Sequence, residues 1–156
     1  MFTQDMDEIK KALYNGCMAY VENRITTAMQ AIQSAQQSQG EETKSSAGDK
    51  YETGREMMQQ ETNRNMAQLT EANKLKVALS AIPVDAAPSA TVQPGSLVIT
   101  NNGKFYIAIS AGTLTYNNET YFAVSAASPI GMLLRGKSQN QSFSLNNKVY
   151  VIQSVL

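Results

Sequence analysis

The chain has no histidine, no tryptophan and one cysteine, Cys17. Without histidine, histidine triads and the usual zinc ligand sets are excluded, and a lone thiol cannot replace them. One cysteine forms no internal disulfide, so a reducing, cytoplasmic setting is expected. No apolar run approaches the roughly 18 residues that cross a bilayer. The first residues, MFTQDMDEIKK, carry acids and no apolar core, so no secretory signal is expected. Neither sign of charge dominates: 13 basic residues face 13 acidic ones. The excess of positive charge that usually drives nucleic-acid binding is therefore missing. Proline is scarce, four in 156 residues, and none occurs before residue 83.

What is present falls into two halves. Residues 1–80 hold 20 of the 26 charged residues and are rich in Gln, Met and Ala. Tyr14, Met18, Val21, Ile25, Ala28, Ile32 and Ala35 recur at a mean spacing of 3.5, which predicts a coiled-coil seam. Met58, Thr62, Leu69, Ala72 and Leu79 continue that register, with Asn65 and Lys76 intruding. Gly40 is expected to end the first helix, and a Ser or Asp to start the second. Two helices of about 30 residues, each about 45 Å long, predict an antiparallel coiled-coil hairpin over 1–80 with its tip near 40–53. Residues 81–94, with Pro83, Pro88 and Pro94, read as an extended linker.

Residues 95–156 read as strands: GSLVIT (95–100), KFYIAIS (104–110), TYFAVSA (120–126), QSFSLN (141–146) and KVYVIQSV (148–155). Asn101-Asn102-Gly103 and Asn146-Asn147 are hairpin signals. In SPIGMLLRGK, Ser128 fits an N-cap, Pro129 the first helical position and Gly136 the end of a short helix. The fold class is therefore α+β: a long helical hairpin, then a small antiparallel sheet packed on one helix.

SSAGDKYETGRE (45–56) holds Asp49 and Glu52 three apart, on one face if helical. Their ordinary role is a helix start, with Asp49 as N-cap and Glu52 as its capping-box partner. Their other role is as hard oxygen ligands for Mg²⁺, too few to close a site but able to complete one in another macromolecule.

Gly48-Asp49-Lys50-Tyr51-Glu52-Thr53 resembles the coil tip of the bacterial Gre family (GreA/GreB-like transcript-cleavage factors), which reads Gly-Asp-Leu-Ser-Glu-Asn. Ser128-Pro129-Ile130-Gly131-Met132-Leu133-Leu134-Arg135-Gly136-Lys137 is similar to that family's Ser-Pro-Leu-Gly-x-x-Leu-Leu-Gly-Lys run. FSLNNKVYVIQSV resembles its terminal hairpin, and GSLVIT the opening strand of its FKBP-like C-terminal domain. The chain departs from the family at Lys50, Tyr51 and Thr53 in the tip. Arg55 stands where the family often has an acid, and Ala127 where it commonly has Asp.

The resemblance implies a transcription elongation factor that binds RNA polymerase and inserts its coil tip in the secondary channel. It is not itself an enzyme; it stimulates the polymerase's own cleavage of backtracked RNA. Asp49 and Glu52 are then the functional acids and ligands of a Mg²⁺ shared with the polymerase active site. Ser128, Pro129, Ile130 and Gly131 become candidates for polymerase docking. Tyr51, Arg55 and Arg64, with Lys74 and Lys76, are candidate contacts to the nascent RNA 3′ segment, against an ordinary role as a solvated face with pairs such as Glu71…Lys74. No membrane and no sequence-specific DNA contact is implied. Met57 and Met58 read as coil packing, and Cys17 as a small apolar residue. The altered tip motivates an alternative, a non-cleaving regulator of the same channel. An FKBP-type peptidyl-prolyl isomerase, requiring an aromatic cradle from Phe105, Tyr106, Tyr116, Tyr121, Phe122, Phe143 and Tyr150, is a further alternative, and a plain coiled-coil scaffold a fourth.

Overall fold

A computed structural model describes residues 2–42, 48–84 and 88–156, and the side chains of 6–37, 53–84 and 88–156. The elements run α1 (Phe2–Glu42), α2 (Gly48–Ser80), β1 (Leu97–Thr100), β2 (Gly103–Ala108), β3 (Gly112–Tyr116), β4 (Glu119–Ser125), α3 (Pro129–Leu134), β5 (Ser142–Leu145) and β6 (Lys148–Val155). They form two compact units: Met1–Tyr20 with Val77–Leu156, and Val21–Lys76.

In the second unit the apolar seam is buried as its spacing requires. Val21, Ala28 and Ala35 of α1 are buried, with Ile25 and Ile32 half-buried between them. On α2, Asn65 and Ala72 are buried, with Met58, Thr62 and Leu69 half-buried. Leu69 lines one groove with Met29, Ile32 and Gln33 of α1. Lys76 does not intrude: it is exposed, and the neighbouring Leu75 turns inward. Gly40 does not end α1, which continues to Glu42. An internal glycine costs about 1 kcal/mol, which weakens a helix without by itself ending it. Met57 is also not packed, at 65% exposure, although Met58 is half-buried.

Asn65 does intrude. It is 9% exposed, and its Nδ2 has no hydrogen-bond partner among the described residues. An unpaired buried amide costs roughly 1–3 kcal/mol, and such a residue in a helical seam is a known way of fixing register at the expense of stability. Asn65→Leu is expected to raise stability by about 1–2 kcal/mol, read as a higher denaturation midpoint. An unchanged or lower midpoint would show that the amide is satisfied.

In the first unit the strands form one six-stranded sheet, ordered β3-β4-β2-β1-β6-β5. The expected all-antiparallel sheet needs one correction. β2 and β4 are parallel, with Phe105 opposite Phe122 and Ile107 opposite Val124. The cause is β3, a strand not read from the sequence. After β2 the chain passes through residues 109–111 and lays β3 two strand positions away, at the sheet edge. It then turns at Asn117 and Asn118 (φ 49° and 63°) and returns as β4 into the gap. β3 thus supplies the crossover that a parallel pair needs. Asn146 and Asn147 (φ 52° and 67°) make the same two-residue turn between β5 and β6. Two consecutive positive φ values define the type I′ turn that suits a twisted hairpin, and Asn tolerates them.

One face of the sheet holds a core of Val98, Phe105, Ile107, Phe143 and Ile152 with Leu134 of α3 and Val92. Val92 comes from the segment expected to be a linker. Its amide donates to the carbonyl of Lys137, and its carbonyl accepts from Gly136, so the linker's end is fastened into this unit. The first turns of α1 also belong here. Leu13 and Cys17 are buried, the Ile109 amide donates to the Cys17 sulfur, and a Cβ on Gly16 would lie 3.2 Å from Leu114.

Cys17 behaves as the sequence implies, as a buried small apolar group. Burial pushes its thiol up to about 11 from 9.0, against the lowering effect of the Ile109 amide. The folded state therefore holds a proton that the unfolded state loses above pH 9. Stability from this site is intact below pH 9 and falls as pH rises toward 11, by roughly 2–3 kcal/mol at the limit. Comparing denaturation of the wild type and Cys17→Ala at pH 8.5 and 10.5 should show a steeper loss in the wild type. Equal losses would place the thiol in contact with water.

Candidate functional site

The backbone of α2 begins at Gly48, so Asp49 stands inside its first turn and not at the capping position outside it. Asp49 and Glu52 share one helix, at a spacing that puts them on one face. The side chains of Asp49, Tyr51 and Glu52 lie outside the described residues, as do residues 43–47 before them. Two carboxylates one turn apart suit a hard divalent cation as a partial ligand set, the remainder being water or another molecule's oxygens. Among the described residues no group of three or more acids or thiols could hold a metal.

Arg55 and Arg64 are exposed on α2. Lys74 is also exposed and pairs with Glu71 at 3.2 Å, the intrahelical pair expected of a solvated face. A pair this open contributes little to stability.

Ser128, Pro129, Ile130 and Gly131 form one built feature, and each residue has a separate physical reason. Ser128 is the N-cap of α3, its Oγ accepting the Gly131 amide at 3.1 Å and donating to the Ser125 carbonyl at 2.6 Å. Pro129 takes the first helical position, where a missing N–H costs nothing. Ile130 packs against the sheet core, while Pro129 and Met132 are exposed. Gly131 is buried because Ser125 comes too close for a side chain. Gly136 follows the helix at φ 79°, the left-handed stop expected of it.

The aromatic residues mainly pack on one another. Phe105 stacks on Phe122 with centroids 5.6 Å apart, and Phe143 on Tyr150 at 5.0 Å. Tyr106 and Tyr121 are buried and Tyr116 half-buried. Tyr106 has its hydroxyl pushed well above the usual range, first by burial. These rings fill the sheet's own packing, as their alternation along the strands implies.

Two side-chain groupings were not legible. Lys104 pairs with Glu119 and lies 5.4 Å from the Tyr121 ring centroid, and the Tyr121 hydroxyl donates to Glu119 at 3.3 Å. The hydrogen bond and charge of Lys104 hold the Glu119 carboxyl below its usual range. Glu119 and Tyr121, with Glu8, Ile9, Tyr116 and Asn117, edge an open hollow of about 380 Å³. Lys10, Pro83, Ser89 and Gln93 to Ser96 line a smaller one. No local pattern announces either, because their members are distant in sequence. No described helix is long and apolar enough to cross a membrane. Compared with family models, curated proteins and solved structures, the chain matches none.

Proposed function

We propose that this protein is a Gre-like transcription elongation factor. On this reading α1 and α2 form an antiparallel hairpin whose tip carries Asp49 and Glu52 into the secondary channel of RNA polymerase. The sheet unit, taken as FKBP-like, docks outside through Ser128–Gly131. The observation that carries the reading is the order of parts. Two long helices, the second opening on Gly48-Asp49 with Glu52 one turn on, precede a sheet whose one short helix uses a Ser-Pro-x-Gly start. In Ser128 to Gly136 the residues that resemble the family also have physical roles that depend on their type.

Asp49 and Glu52 would hold a Mg²⁺ shared with the polymerase, and that ion supplies an activated water for phosphodiester hydrolysis. The chain's own contribution is to bring two anionic oxygens to the backtracked RNA, while the polymerase performs the cut. The direct test adds the protein to stalled, backtracked elongation complexes and follows short RNA 3′ fragments. Release above that of polymerase alone supports the reading. No release across a range of Mg²⁺ and pH, with binding intact, favours a non-cleaving regulator, for which Lys50, Tyr51 and Thr53 in the tip are the motivating residues. Failure to bind polymerase removes both.

A further inference from the structure

Lys10 is among the few buried charged groups of the described residues, at 8% exposure. It lines a cavity of about 70 Å³ with Pro83, Ser89, Gln93, Pro94, Gly95 and Ser96, all within the same compact unit. That is several times the roughly 10–15 Å³ that one water needs.

Among the described residues no carboxylate forms an ion pair with Lys10. The acid whose charge acts on it is the exposed Asp7, one helical turn earlier, and that attraction is outweighed by burial, which disfavours the charged amine. A buried ammonium with no counter-charge is costly, and a partner of opposite sign offsets the cost.

The rest of the wall has donors to give and no acid. The Ser96 Oγ accepts the Gln93 amide at 3.0 Å, and the Ser89 Oγ accepts the Thr91 amide at 3.3 Å. A hydroxyl that accepts still has its own proton to donate. The backbone amides are already spent: Gly95 donates to Ile107 and Ser96 to Gln93, and Pro83 and Pro94 have none. Gly95 keeps the wall close. Its φ is 91°, and a Cβ there would stand 2.9 Å from the Pro83 carbonyl.

We propose that this cavity is a binding site for a small oxyanion, of carboxylate or inorganic phosphate size, held by the Lys10 ammonium and the hydroxyls of Ser96 and Ser89. The site is too small for a nucleotide, and its walls offer no aromatic face on which a base could stack. Its ligand is a free anion, and binding fastens the start of α1 to the segment that leads into β1.

The test titrates the full chain with inorganic phosphate, and separately with acetate, at constant ionic strength made up with sodium chloride. The amide resonances of Gln93, Gly95 and Ser96 are followed by NMR, with the melting temperature measured in parallel. Saturable shifts at these amides and a higher melting temperature are expected with at least one of the two anions. Lys10→Met should abolish the saturation. Ser96→Ala should weaken binding about tenfold, as loss of a hydrogen bond to a charged group does. Shifts that grow linearly without saturating in the wild type, or saturation unchanged in Lys10→Met, would overturn the proposal. Should Lys10→Met fail to fold, Ser96→Ala decides alone: weaker binding supports the site, and unchanged binding removes it.

Discussion

Alanine at Asp49 or at Glu52 is expected to cut release of RNA 3′ fragments from backtracked complexes by roughly 100-fold, with binding to polymerase nearly unchanged. The size follows from the proposed role. Changes in the shell around a metal ligand already cost about 10–100-fold, and each of these substitutions removes a ligand outright. A chain offering only two carboxylates has none to spare. Binding should survive because the residues proposed to dock, Ser128–Gly131, belong to a different compact unit from the acids. The helix should survive too, since alanine has the best helix propensity of any residue. A third variant separates the cleaving and non-cleaving readings. Lys50→Leu, Tyr51→Ser and Thr53→Asn together restore the tip that the resemblance implies. Increased release in that triple variant would identify these residues as the brake. Equal release from the wild type and both alanine variants would remove Asp49 and Glu52 from the mechanism.

What could be read from the sequence was what depends on near neighbours. α3 was legible because its cap, its proline and its stopping glycine are signals within nine residues, and each is satisfied locally in the fold. The β5–β6 hairpin was legible because Asn146-Asn147 states its turn type. The same signal at Asn117-Asn118 was missed because β3 is short, begins on Gly112 and has little apolar alternation. Missing β3 also hid the parallel pair, since strand periodicity gives faces and not partners. Lys76 and Leu75 show another limit: a 3.5-residue register marks a stripe to within one position, and packing chooses between neighbours. Lys10 and the Lys104–Glu119–Tyr121 group were out of reach altogether. Their partners are brought together by tertiary structure alone, and an isolated lysine in a helix reads as solvated until burial is known.

Gly131→Ala is expected to destabilise the protein by about 2–4 kcal/mol, lowering the melting temperature by roughly 5–15 °C. Two effects oppose each other. Gly131 lies within α3 and lacks a positive φ, so propensity alone would make alanine more stable by about 1 kcal/mol. Against this, a Cβ at that position would sit 2.0 Å from the Ser125 carbonyl oxygen, 2.9 Å from the Ser128 Oγ and 3.0 Å from the Ala126 Cα. The nearest obstacle cannot withdraw cheaply. The Ser125 carbonyl accepts both the Ser128 amide at 3.1 Å and the Ser128 hydroxyl at 2.6 Å, so moving it undoes the turn that presents the cap. If α3 shifts outward instead, Leu134 and Ile130 leave the core that they help to close. Either way the clash outweighs the propensity gain. Gly136→Ala is the control: it has open space around it and a φ of 79°, so it should cost only the left-handed backbone penalty, about 1–2 kcal/mol. Denaturant titration of the three proteins separates the cases. If Gly131→Ala is as stable as the wild type, the close approach of Ser125 is not a feature of the fold. If it is destabilised while Asp49→Ala is not, the two segments that carry the family resemblance answer to different constraints, one to packing and the other to chemistry.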